Sequence, residues 1–309
     1  MSKVDKINFD GFEWISLTHP TEAEINKLRD YGFHPLDLED CLTPAKRNKI
    51  DSYDNYIFSI MLWPKFNPKT REISSAEIDF FLGKDFLITL HHNDLKPFSD
   101  AFELYRLSGD MRSKHKGETP EKIVYDLFNK LYLYIFPMVD HLIVDCDEIE
   151  KAIFTGKEKK MVSEIMIIRR NIIDFRKIMQ AHKNVLKRLI FTLKENPIYK
   201  IKKTDVYFEG LTDYTKEIWD QLDNLKERIE ALQQTNESRI SYKLSDIMRI
   251  LTIISVITFP VTLMAAIFGM NTIESMPFVN NPFGFWIIVG LMLALIFGML
   301  TTFKKKGWL

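Results

Sequence analysis

Asn271 stands in the segment AIFGMNTIES, Ala266 to Ser275, as a bare amide between two long apolar runs, and no charge follows it until Glu274. Upstream, Thr252, Ser255, Thr258 or Phe259, Thr262, Ala266 and Gly269 recur every three to four residues, which sets small and hydroxyl side chains along one side of a helix. Two chemistries suit that strip. Small and hydroxyl residues let membrane helices approach closely, and Thr can bond its own backbone. If copies of the helix instead ring an axis, the strip meets water, and Ser245 and Met248 continue it at the near end. Repeated by symmetry, Asn271 would then close the far end with a ring of neutral oxygen acceptors. Such a ring suits a small oxygen-seeking ion such as magnesium, which gives up its water reluctantly and can be recognised through it. Gly269 and Asn271 equally suit a plain helix C-cap.

Either reading needs a membrane-crossing helix. From Ile250 to Met270 there is no charge over roughly 21 residues, enough at about 1.5 Å per residue to cross a hydrocarbon layer of about 30 Å. A second charge-free run covers Phe283 to Phe303, with Trp286 and Trp308 suited to the interfaces. Arg249 precedes the first run and Lys304, Lys305 and Lys306 follow the second, while the connection between them has no Lys or Arg. The positive-inside rule then puts both termini and the bulk of the chain in the cytoplasm, in a multi-pass protein of the cell membrane. Pro260, lacking an amide for the helical ladder, marks a bend.

The remainder must position these spans. Four segments, FEWISL, YIFSIMLW, AEIDFFLG and DFLITLHH, read as strands, and FFLGKDFLITL as a hairpin about Gly83-Lys84-Asp85. TEAEINKLRDYG reads as a helix with a capping box from Thr21 to Glu24 and a stop at Gly32. After Pro120 helical periodicity takes over, in Glu121 to Phe154, Lys157 to Asn196 and beyond Gly210. No Gly or Pro interrupts Leu211 to Phe259, so one helix of roughly 60 residues, about 90 Å, can run into the membrane. Leu211, Ile218, Leu222, Leu225, Ile229 and Leu232 form an apolar seam on it, to be covered either by other copies or by the helix of 157–196. The expected class is α+β with membrane helices. Its parts are a cytoplasmic α/β domain over 1–120, a helical and stalk region over 121–249, spans at 250–270 and 283–303, an extracytoplasmic loop at 271–282 and a basic cytoplasmic tail at 304–309.

Composition narrows the function. The chain has 309 residues, 46% hydrophobic, and its 42 basic and 42 acidic residues cancel, so net charge argues for no nucleic-acid partner. Cys41 and Cys146 supply no disulfide framework, and the amino terminus has no apolar stretch of signal-peptide length. No phosphate-binding Gly-rich loop, nucleophile elbow or metalloprotease motif occurs, so neither catalysis nor an organic cofactor is expected.

Gly269-Met270-Asn271 at the close of the first of two terminal spans, Met276-Pro277 after it and the ending KKKGWL together resemble the CorA family of magnesium and cobalt transporters. HPLDLEDCL from His34 and KIDSYDNYIF from Lys49 are similar to the family's amino-terminal signature, so the resemblance covers nearly the whole chain. It implies a funnel-shaped homopentamer in lipid, with a long stalk helix that becomes the pore-lining span and an outer second span. It implies transport of Mg2+, with Co2+ as a further ion, and closure by intracellular magnesium held between neighbouring cytoplasmic domains. By position, Gly269, Met270 and Asn271 would hold the hydrated ion, Asn271 through its water. Thr262 would form a pore ring, Met248 and Leu251 part of a hydrophobic gate, and Lys304 to Lys306 a basic collar. Ser245, Ser255, Phe259 and Ala266 complete the lining. Phe259 stands where many relatives have Met, and Ser245 where they have Asn. Glu274 is the only carboxylate in the loop, which implies weaker cation attraction. A regulatory Asp of some relatives falls near Gly210, leaving Glu209 and Asp213 as metal candidates. Zinc transporters of the same fold carry Gly-Ile-Asn, so Met270 favours magnesium or cobalt. A membrane-anchored oligomeric scaffold is the alternative from another class, and it would need neither the strip nor Asn271.

Other constellations carry less. His91 and His92 are adjacent in a strand, point to opposite faces and do not suit one metal together. Asp140, Asp145, Asp147, Glu148 and Glu150 read as a solvated helix face or a cation-attracting boundary, and KEKK at 157–160 as an exposed helix start.

Overall fold

The computed structural model describes residues 2–107, 119–199, 204–271, 276–278 and 281–308. They fall into two units, Met1–Gln234 and Thr235–Leu309.

The first unit is built on six strands, β1 Lys3–Asn8, β2 Glu13–Thr18, β3 Lys49–Ser52, β4 Tyr56–Asn67, β5 Glu72–Gly83 and β6 Phe86–His91, ordered β1-β2-β6-β5-β4-β3. β2 and β6 are parallel and the other pairs antiparallel. At the turn from β5 to β6 glycine at 83 leaves room for the Phe86 ring, which a Cβ there would meet at 2.3 Å and have to displace. The edge strands β1 and β3 were not expected from sequence.

Both sheet faces are covered. On one side α1 Glu22–Lys27, a 3-10 turn Leu28–Tyr31 and α2 Pro35–Asp40 close over Leu17, Phe58, Phe81 and Ile88. The capping box of α1 forms as its residues dictate: Glu24 N donates to Thr21 Oγ1 at 3.4 Å and Thr21 N donates to the Glu24 carboxylate at 2.8 Å. Gly32 ends the segment in the left-handed region, φ 76°. On the other side lie α3 Lys96–Leu107, α4 Pro120–Phe154 and α5 Glu158–Met179, with Trp14 set edge-on to Phe102 at 4.8 Å and Trp63 to Tyr132 at 5.0 Å. The single helix expected over 157–196 is two, because the chain turns at Gln180 and Ala181 before α6 His182–Glu195.

α7, Thr204–Phe268, is one helix of 65 residues. Within the first unit Ile218, Leu222 and Ile229 are fully buried, and Leu211, Leu225 and Leu232 nearly so, in the core shared with α4 and α5. The seam is therefore covered within one chain. Each of these side chains contributes on the order of 2 kcal/mol through burial. Ion pairs tie the same helix down, Arg228 to Asp147 and Glu150 at 2.6 Å each and Arg176 to Asp223 at 2.7 Å, so two members of the acidic group pair with α7 while staying partly solvated.

The second unit holds the rest of α7 and α8, Gly284–Lys305. Three helices are long and apolar enough to cross a membrane, but α4 is 44% buried over its apolar window against 6% for each of the others. Apolarity in α4 is explained by core packing, while α7 and α8 leave theirs to an apolar surrounding.

Candidate cation pathway

The strip on α7 can be placed by helical geometry. At about 100° per residue, Ser245, Met248, Leu251, Ser255, Phe259, Thr262 and Ala266 fall within an arc of roughly 120°. All are exposed in the single chain, Phe259 at 70%. Ile253, Ile257, Pro260, Met264 and Phe268 lie on the opposite side, and these are the buried or half-buried positions, Ile253 at 6%. The few partly covered positions of the span thus lie on its back, and the hydroxyl face is open.

On that face the hydroxyls are oriented. Thr252 Oγ1 donates to Met248 O at 2.8 Å, Ser255 Oγ to Leu251 O at 2.8 Å and Thr262 Oγ1 to Thr258 O at 2.9 Å. The backbone bonding that close packing would explain is present, and it leaves the oxygen lone pairs directed outward. The strip thus alternates acceptors with bulky apolar groups, Met248 and Leu251 at one end and Phe259 midway.

At its carboxyl end α7 tightens. Gly269 N donates to Ala265 O at 2.9 Å and Met270 N to Ile267 O at 3.3 Å, a change from four-residue to three-residue spacing. A Cβ on Gly269 would lie 3.1 Å from Ala265 O, which is why glycine fits. Among the described residues the left-handed positions include neither Gly269 nor Asn271, so the helix does not end in the left-handed cap the pair could have formed. Asn271 follows directly and is exposed, with no side-chain hydrogen bond among the described residues. Glu274 lies outside the described residues.

Lys304 and Lys305 end α8, Lys306 caps it, and all three are exposed; Phe303 stacks on Trp308 at 5.7 Å. Glu209 and Asp213 are exposed one turn apart on the first unit's part of α7. No group of three or more His, Cys, Asp or Glu suited to a metal occurs among the described residues, so this pair is at most half of a site.

His91 and His92 do point apart. His91 is buried, its Nε2 3.1 Å from Ser16 Oγ and 3.3 Å from Thr18 Oγ1, and burial pulls its pKa down to about 4. His92 meets His19, a partner that its own position in sequence does not suggest.

Comparison with known proteins gives concordant results. The sequence profile of a family described as CorA-like Mg2+ transporter protein matches residues 9–305. A putative metal ion transporter, YfjQ of Bacillus subtilis, is 28% identical over 96% of this chain and 89% of its own length. The cobalt/magnesium transport protein CorA of Thermotoga maritima is 27% identical over 96% of this chain and 83% of its own. The solved complete structure of the CorA magnesium transporter from Methanocaldococcus jannaschii has the same fold, with a TM-score of 0.83 at 22% identity over 99% of this chain and 94% of that one.

Proposed function

The chain belongs to the family of CorA-like Mg2+ transporter proteins, and from that premise we propose that it carries magnesium, with cobalt as a further cargo, into the cell along the open face of α7. It is a divalent-metal-ion transporter of a membrane and not an enzyme. In the reading proposed, copies of the chain, five by resemblance to the family, surround an axis, with termini in the cytoplasm and the apolar flanks of α7 and α8 in lipid. The domain limits follow the sequence division, with 250–270 as the pore-lining span.

The observation that carries the reading is the two-sidedness of that span. Its hydroxyl face is uncovered by its own chain and ends at an exposed Asn271, while the opposite side carries the one buried position, Ile253, and the half-buried Ile257, Pro260, Met264 and Phe268. The hydroxyl hydrogens are already bonded within the helix, but the oxygen lone pairs that remain find donors in water and none in lipid. Gly269, Met270 and Asn271 form the mouth, where amide oxygens accept hydrogen bonds from the ion's water shell without stripping it. Neutral acceptors hold a divalent ion less tightly than carboxylates do, which lets it move on. Glu274 adds the mouth's one carboxylate, and Met248, Leu251 and Phe259 close the pathway by dewetting when they approach. Lys304 to Lys306 repel cations at the inner mouth until the helices shift, and Glu209 with Asp213 contribute to control by magnesium.

No fuel is required. An inside-negative potential of about 100 mV supplies roughly 2.3 kcal/mol per charge, hence about 4.6 kcal/mol for a divalent ion. The test is magnesium flux into proteoliposomes under an imposed potential. Wild type is expected to accumulate magnesium and Asn271→Ala to lose uptake. Uptake by Asn271→Ala equal to wild type would overturn the assignment of the mouth. Failure of any divalent ion to pass would favour a scaffold, and preference for zinc in competition would reassign the cargo.

A further inference from the structure

We propose that His19 and His92 form a binding site for a borderline divalent transition-metal ion, of the zinc, cobalt or nickel class, in the amino-terminal unit. The two residues stand one step beyond the paired ends of parallel strands, since Thr18 is in register with His91. The ladder continues past the strands, His19 N donating to His91 O at 2.8 Å. Left-handed backbone at His19, φ 49°, and at Asn93, φ 56°, turns the chain on each side of the pair. Asn93 N also donates to His91 Nδ1 at 3.0 Å, which anchors the peptide that carries His92.

The geometry is that of a chelate. The Nδ1 atoms of His19 and His92 are 3.4 Å apart, with ring centroids 5.4 Å apart. Two nitrogens each about 2.0–2.1 Å from a tetrahedral ion stand about 3.3–3.4 Å apart. A hydrogen bond between them would be long, since N–H bonds to acceptors centre near about 2.9–3.0 Å. The gap therefore suits an ion better than a shared proton. His91 is not a third ligand, because Asn93 occupies its Nδ1 and Ser16 and Thr18 its Nε2. No third His, Cys, Asp or Glu completes the group among the described residues, so water fills the other positions. His92 also lines a cavity of about 420 Å³ with Glu22, Glu77 and Asp79, and Asp79 Oδ1 is buried there without a hydrogen-bond partner. That wall supplies carboxyl oxygens as acceptors for the waters of a hydrated cation. Imidazole nitrogen selects zinc, cobalt or nickel over magnesium, which demands oxygen.

The inference does not rest on transport, and its test reads binding alone. The full-length protein in detergent, carrying Asn271→Ala to disable the proposed mouth, is titrated with Co2+ in excess magnesium while the visible absorption of the bound ion is followed. One saturable cobalt per chain is expected, lost in both His19→Asn and His92→Ala. Asn tolerates the left-handed backbone at 19, and both rings are exposed, so unchanged far-ultraviolet circular dichroism is expected in each variant. Retention of the same cobalt spectrum and stoichiometry by either variant, or displacement of the ion by magnesium, would overturn the site.

Discussion

His182 is held in one protonation state by its two partners. Its Nε2 lies 2.8 Å from the Leu62 carbonyl, which can only accept, so that nitrogen carries the proton; Nδ1, 2.9 Å from the Tyr132 hydroxyl, accepts. Burial pulls its pKa down to about 4, and burial does the same to His91. An imidazole in the unfolded chain titrates near 6.5. Between these values the unfolded chain binds protons that the folded chain does not, so this stabilisation is full above about pH 6.5 and is lost as pH falls toward 4. Thermal unfolding of the full-length protein should show a melting temperature that declines from pH 7 to pH 5, and a shallower decline in His182→Gln. A decline equally steep in the variant would refute the assignment. Residues of this kind were invisible in sequence, because nothing local marks His182 or pairs His19 with His92. Gly269 and Asn271 were legible because their meaning comes from position after a charge-free run.

Among elements, α7 was the most readable, since the spacing of its seam from Leu211 to Leu232 and its freedom from Gly and Pro over Leu211 to Phe259 are local facts. What sequence left open was the partner, and the core shared with α4 and α5 answers it. Leu222→Ala should therefore destabilise the single chain itself, by about 2–5 kcal/mol, seen as a lower denaturant midpoint that does not depend on protein concentration. A concentration-dependent effect would return the seam to an interface between copies. Other elements were hidden for physical reasons. β1, KVDKIN, is an edge strand that is mostly exposed and charged, so it has no apolar alternation to read. The break before α6 has no Gly or Pro; a buried histidine hydrogen-bonded to β4 marks it, and only the tertiary fold reveals that bond.

At the scale of the whole molecule, the two faces of the first span assign neighbours. If the hydroxyl face looks onto an axis shared by copies, a cysteine there meets its own equivalent. With Cys41 and Cys146 replaced by Ala, Thr262→Cys should cross-link between copies under mild oxidation, and Ile257→Cys, on the covered side, should not. The reverse pattern would put the strip against lipid or another helix. The hydroxyls that donate to their own helix have one more consequence in such a passage. Chloride moving along the wall would meet oxygens whose hydrogens are already turned into the backbone, and would find nothing to solvate it. Anions are thereby refused by the orientation of uncharged groups, with no fixed negative charge deep in the membrane to trap the cation that follows.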